Sequence, residues 1–264
     1  MNPDTILALP SLLLGRLDVA WTVLLLMARF GAFFTFVPGL GGGITGFMIR
    51  YPGVMAISLV SLDPRNPTAV PNDPVMMAAQ VASEVFLGTL TALVPLMIVS
   101  GAQVAGGLAS GAMGLNGAQL IDPSTQSQMP DLARIYSDLS ILIFLLIGGH
   151  HVAIAQLAGL DSSLAPGSFV ISGAGIGALV DQGGQIFRSG CLLAAPVIAA
   201  LLLTNFVMGV ISKAVPTVNI FIVSFPITVS IGLILSIVAL PEMSVYLTNQ
   251  FLEIERLLAL VTAR

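Results

Sequence analysis

From residue 85 to residue 121 the chain runs for 37 residues without one charged side chain. A helix needs only about 20 mostly apolar residues to cross the hydrocarbon core of a bilayer. Similar runs follow: 22 uncharged residues at 139–160, 24 at 189–212 and 28 at 214–241, the last expected to be interrupted at Pro216 and Pro226. Near the N-terminus, 20 uncharged residues lie between Arg29 and Arg50, broken by Pro38, Gly39 and Gly41 to Gly43. A first helix therefore fits at 17–37, with Arg29 inside it, and a shorter apolar segment at 49–62. Such unalternating runs are not the strands of a membrane barrel. With no water to satisfy the backbone, helices remain.

Composition agrees. Charged residues make up 8% of the 264 and hydrophobic ones 56%, where soluble domains carry about 25% charge. Mean hydropathy is +1.00. The chain has too little polar surface to clothe a globule in water. A net charge of −4 and a single lysine, Lys213, exclude the basic footprint of a nucleic-acid binder. One cysteine, Cys191, leaves no internal disulfide and no cysteine metal cluster. The predicted class is an all-α integral membrane protein with five or six helical spans, forming one polytopic domain over 1–264.

Smaller features set boundaries. Pro10 and the lack of a basic leader argue against a cleaved signal peptide. The clusters at 63–67 and 71–74 read as an exposed loop, and 160–184, rich in Gly, Ser and Asp, as the longest polar connector. The tail at 242–264 is amphipathic. Leu247, Phe251, Ile254, Leu258 and Val261 recur every three or four residues, predicting a helix whose apolar face packs on a partner or lies at the membrane surface. Basic residues are spread about one per connector and assign no sidedness.

Catalytic signatures are missing. The sequence holds no G-x-S-x-G and no phosphate-binding G-x-x-x-x-G-K-[ST]. His150 and His151 are adjacent, so on a helix they point about 100° apart and cannot clamp one metal as an H-E-x-x-H pair does. They read as a polar patch, and Cys191 as a small apolar residue. No catalytic residue, metal ligand or cofactor site is predicted. Charges inside apolar spans are costly, which singles out Arg29 and Glu84. One acid and one base do not make a relay, so pairing with a neighbour or snorkelling is the favoured reading.

Glycine and proline carry the stronger signal. Ala102, Gly106, Ser110 and Gly114 recur every fourth residue, with Gly107 and Gly111 alongside. On a helix that stripe admits another helix closely. Pro95, Pro196 and Pro226 fall inside apolar runs, and each frees a carbonyl that protein neighbours must satisfy. A nine-residue Phe-to-Pro interval at 86–95 and again at 187–196 is a faint internal echo.

Two segments together resemble a known family. One runs from Ile121-Asp122-Pro123 through Met129-Pro130-Asp131-Leu132-Ala133-Arg134 to the apolar run before Gly149-His150. The other, 209–226, reads GVISKAVPTVNIFIVSFP. Together they resemble FliR, the flagellar type III export-gate subunit, and its injectisome counterparts, over nearly the whole chain. The resemblance implies a non-enzymatic subunit in the bacterial inner membrane, at the flagellar basal body, that assembles with FliP-like and FliQ-like subunits and an FlhB-like switch protein to pass unfolded substrates. It also implies a plug from the Gly-rich loop before the Asp-Pro pair. Mapped here, the plug holds Gly106, Gly107, Leu108, Gly111, Met113, Gly114, Leu115, Gly117 and Leu120. No aromatic residue lies among them. Asp122, Pro123, Met129, Pro130, Arg134, Pro216, Asn219, Phe221 and Pro226 carry the motifs, in assembly roles. The alternatives are an injectisome gate and a secondary transporter for a small solute, whose helices are also broken but which needs a polar mid-membrane site not found here. An intramembrane enzyme would need catalytic pairs.

Overall fold

The computed structural model describes residues 3–39, 43–63, 65–115, 131–159, 164–215 and 220–262, with side chains omitted at 3–16, 43–49, 131, 220–221 and 261–262. Among them there is no strand. The helices are α1 (Pro3–Phe36), α2 (Gly43–Val60), α3 (Pro74–Met113), α4 (Asp131–Leu146), α5 (Gly149–Ala158), α6 (Gly173–Ala214), α7 (Ile220–Leu252) and α8 (Ile254–Thr262).

Among the described residues four stretches are long and apolar enough to cross a membrane: Leu17–Phe36, Pro74–Met113, Gly173–Ala214 and Ile222–Leu260. A fifth is gained if α4 and α5, separated at Gly148, form one broken span. The segment expected at 49–62 is α2, 18 residues long, about 27 Å at the helical rise. Gly148 makes the α4–α5 break with φ 75°, a left-handed conformation that a Cβ disfavours.

Three expected boundaries move. The connector placed at 160–184 ends at Ser172, because α6 begins at Gly173 despite its glycines. The Ser172 hydroxyl accepts the Gly175 N–H at 3.1 Å and so caps the helix start. The expected interruption at Pro226 does not occur, since α7 runs through both Pro226 and Pro241. Each proline removes one hydrogen bond of the ladder without breaking the helix, and the freed carbonyl needs a protein neighbour in a water-free surrounding. The amphipathic tail is not one helix from 242, for α7 continues to Leu252 and only α8 follows. The predicted stripe is real: Leu247, Phe251, Ile254 and Leu258 are all buried. It is buried within this chain, however. Phe251 meets Phe144 of α4 with ring centroids 5.3 Å apart, and α8 packs on α5.

Within the stretch expected as one domain, packing distinguishes two compact units. Unit 1 comprises Met1–Leu96, Gly148–Leu179 and Glu253–Arg264. Its core includes Leu25, Leu26, Phe30 and Phe33 of α1, Leu87 of α3, Leu157 of α5 and Leu258 of α8. Unit 2 comprises Met97–Ile147 and Val180–Leu252, with Ala102, Ala105, Phe144, Ala194, Val197, Leu201 and Leu247 at its centre. The chain crosses from one unit to the other after Leu96, Ile147, Leu179 and Leu252; three of these points lie beside Pro95, at Gly148 and at the α7–α8 break, and the fourth lies inside α6.

The loop after α2 stays outside the helices. Asp63 accepts the Arg65 backbone N–H and the Asn66 side-chain amide, both at 3.0 Å, and these bonds hold its carboxyl below the usual carboxylate range. Further along, the loop docks on α1: the Thr68 N–H donates to the Thr22 hydroxyl and the Val70 N–H to the Asp18 carboxylate, both at 2.8 Å.

Candidate functional site

In unit 1 the two charges singled out from the sequence meet each other. Arg29 on α1 and Glu84 on α3 are 1% and 0% exposed. Nε of Arg29 donates to one carboxylate oxygen at 2.5 Å and Nη2 to the other at 3.1 Å, a two-pronged pairing that matches the planar fork to the carboxylate. Nη1 donates to the carbonyl of Leu157 at 2.8 Å, at the end of α5. Glu84 also accepts the backbone N–H of Gly167. One ion pair thus ties α1, α3, α5 and the 164–167 turn together, and its hydrogen bonds offset the cost of taking both charges out of water. A cavity of ≈ 330 Å³ lined by Thr22, Arg29, Ser61, Asp63 and Asn66 opens beside it.

The approach of α1 to α3 that permits this pairing depends on Gly88. A Cβ there would fall onto the Arg29 carbonyl oxygen and reach the Ala32 Cβ at 3.1 Å. Gly88→Ala is expected to separate the helices and destabilise the chain by about 1–3 kcal/mol. Thermal unfolding in detergent measures it, and a midpoint equal to wild type would show that α1 shifts without penalty.

In unit 2 the small-residue stripe is a packing seam up to Ser110. Ala102, Gly106 and Ser110 are buried. A Cβ on Gly106 would meet the Ala133 Cα at 2.5 Å and the Leu132 carbonyl oxygen at 2.6 Å, so α4 lies directly on this face. Farther back, Gly101 faces Ser189 of α6, and Gly190 of α6 faces Val104. Gly107 faces open space, and Leu108 and Gly111 are exposed.

The residues grouped as a plug loop therefore divide. Gly106 to Met113 are helical, the last turns of α3. These residues continue the helix rather than forming a loop, and of their glycines Gly106 is held against α4. The helix stops at Gly114, whose φ is 81°. Its N–H donates to the Gly111 carbonyl at 3.0 Å and that of Leu115 to the Ser110 carbonyl at 3.1 Å, the paired bonds of a glycine-terminated helix end. Gly117 and Leu120 lie outside the described residues.

Just before that stop, Met113 is seated on α7. It is 1% exposed, and a Cβ on Gly232 would strike its Cε at 2.5 Å and Cγ at 2.6 Å. Thr228 of α7 donates to the Phe225 carbonyl at 3.1 Å and lies 3.4 Å from the Met113 carbonyl. Residue 114 thus leaves from a fixed anchor. The sequence reasoning missed Thr228 and Gly232, although Thr228, Gly232 and Ser236 form another four-residue stripe of small side chains.

Of the motif residues, Arg134 is exposed and 3.9 Å from Asp138, one turn on, an ion pair worth little in water. Pro226 is exposed on α7. Asp122, Pro123, Met129, Pro130, Pro216 and Asn219 lie outside the described residues, as does the Phe221 side chain. No group of three or more His, Cys, Asp or Glu able to hold a metal occurs among the described residues.

The chain is similar to flagellar and secretion proteins. It is 35% identical over 147 residues to the flagellar biosynthetic protein FliR of Escherichia coli K12, a match spanning 56% of each chain. With the FliR of Aquifex aeolicus VF5 identity is 29% over 231 residues, covering 87% of this chain and 89% of the other. With the Yop proteins translocation protein T of Yersinia pestis it is 24% over 226 residues, 84% of this chain and 87% of that one. Residues 20–254, which hold both the buried ion pair and the Met113 anchor, match the family of bacterial export proteins, family 1, and the chain belongs to that family.

Proposed function

We propose that this chain is an export-gate subunit of a flagellar type III secretion system in the bacterial inner membrane. It packs there with FliP-like and FliQ-like subunits and an FlhB-like switch protein and helps form the passage for unfolded substrates. The observation that carries this reading is the uncovered apolar surface of α6 and α7. Only 22% and 17% of their most apolar stretches are buried, against 61% for α3. Leu202, Phe206, Ile222 and Val238 are each more than 60% exposed. Lipid alone can cover such surface, but it cannot hydrogen-bond the carbonyls freed by Pro196, Pro226 and Pro241 on the same helices. Protein neighbours can.

The test is co-expression with FliP-like and FliQ-like chains, followed by purification in detergent and restoration of motility in a strain lacking its own FliR. A stable homomer that ignores both partners would overturn the reading. An injectisome gate is the second reading, supported by the Yersinia pestis relative. Rescue of effector secretion without rescue of motility would favour it.

The plug belongs to this proposal. Glycine lowers the cost of moving the backbone aside, and apolar side chains exclude water and ions from a constriction. Because 106–113 are the last turns of α3, with Gly106 packed on α4 and Met113 on α7, the gating role falls to 114–120. Deleting those seven residues is expected to leave the Met113 anchor and assembly intact while the membrane of cells bearing the complete gate leaks small ions. An intact complex with normal impermeability would remove the plug assignment.

A further inference from the structure

In unit 2, α6 and α7 border an open cavity of ≈ 280 Å³ between Pro196 and the exposed Glu242. Leu192, Leu193, Ala239 and Met243 make its wall apolar. Tyr246 also lines it, but its hydroxyl is engaged with the Ser189 hydroxyl at 2.8 Å. The Glu242 carboxylate makes no hydrogen bond or ion pair among the described residues. Its acceptor oxygens are not alone. Pro196 has no N–H to give the Leu192 carbonyl on the cavity wall, and Pro241 does the same to the Ile237 carbonyl on α7.

The surroundings make this costly. Leu192, Val238 and Val245 are 54%, 67% and 61% exposed, so the carboxylate sits within an uncovered apolar face. The basic residues of unit 2 form no ion pair with it: Arg134 lies 3.9 Å from Asp138 on α4, and Lys213 is in the last turn of α6. Arg188, one turn before Leu192, is exposed and makes no ion pair with Glu242. A carboxylate without a partner among the described residues, in an apolar wall that also holds Leu192, is complementary to a group with several N–H donors and a positive charge. Lysine supplies three and arginine five, and neither has an acceptor. Acidic side chains in membrane segments find such a partner or a water-filled cavity.

We infer that this cavity seats a lysine or arginine carried on an otherwise apolar helix of a neighbouring subunit. The inference rests on the export-gate reading, because it requires partner subunits against α6 and α7. Charge fixes the register at which the apolar helix docks, while the apolar faces supply the contact area.

The test uses the full chain co-expressed with FliP-like and FliQ-like subunits. Glu242→Lys is expected to lower co-purified partner by about tenfold or more, Glu242→Gln by less, and reversal of the partner's basic residue to glutamate restores the Glu242→Lys complex. A photoreactive residue at exposed Leu192, with Glu242 intact, reports without perturbing the charge. Its cross-linked partner peptide should carry a lysine or arginine within one helical turn. Co-purification of Glu242→Lys within twofold of wild type overturns the inference. So do cross-links to lipid alone, cross-links to a segment without a basic residue, or rescue of Glu242→Lys by Arg188→Glu, which would mean that the pair forms inside this chain. A wild-type chain that co-purifies with neither subunit overturns the export-gate reading itself, which separates the two failures.

Discussion

Truncating Glu84 to alanine is expected to destabilise the chain by about 3–5 kcal/mol, because it leaves the Arg29 guanidinium buried without its counter-charge. Arg29→Ala should cost as much for the opposite reason, and it also strands the Leu157 carbonyl now bonded at 2.8 Å. Arg29→Lys is not a conservative change here, since an ammonium cannot make the two parallel bonds to Glu84. The informative comparison is the double variant Arg29→Leu with Glu84→Met. Removing both charges together should hurt less than removing either alone. Thermal unfolding and yield in detergent measure all four variants. A single-truncation variant as stable as wild type would show that water reaches the pair. Equal damage in the double variant would show that shape, not charge balance, is what the site contributes.

Replacing Gly106 with leucine is expected to have an effect of similar size in unit 2. The first added carbon would already lie 2.5 Å from the Ala133 Cα and 2.6 Å from the Leu132 carbonyl oxygen. These are backbone atoms, which cannot step aside as the end of a side chain can. Overpacking a tight seam commonly costs about 1–3 kcal/mol and sometimes more, and backbone collision belongs at the upper end. The prediction is loss of assembled complex, with Gly107→Leu as control, since Gly107 faces open space. Recovery of normal complex from Gly106→Leu would mean that α4 does not lie on α3 in the assembly. Equal loss from Gly107→Leu would place a further partner on the outer face.

Much of the membrane architecture is legible in the order of residues. Long apolar runs are rare in a soluble protein and unavoidable in a bilayer, so a helix through 17–36 is legible, although α1 already begins at Pro3 rather than at the expected 17. Arg29 and Glu84 are visible as anomalies for the same reason. That they pair with each other is not visible, since 55 positions separate them. The pairing follows from Gly88 bringing two helices together, and a glycine in an apolar run reads the same whether it faces a helix or open space. Gly107 and Gly106 make the point as neighbours, one open and one against backbone.

The helix ends were harder. Gly-rich sequence from 173 to 184 reads as connector by propensity, at about 1 kcal/mol per glycine, yet it is the start of α6. At the other end of the chain, the apolar stripe of Leu247, Phe251, Ile254 and Leu258 was periodic enough to predict a buried face, but periodicity does not say what covers it.

What the residues alone determined is the solvent: a chain with 8% charge and several charge-free runs of more than 20 residues must form helices in an apolar surrounding, since only there are its backbone and side chains both satisfied. The tertiary structure alone decided which small residues are contacts, where the segment after Met113 is anchored, and that the two buried charges neutralise each other. Those outcomes depend on which helix faces meet. The faces of uniformly apolar helices differ by little more than single methyl groups, and only close packing between elements distant in sequence tells them apart.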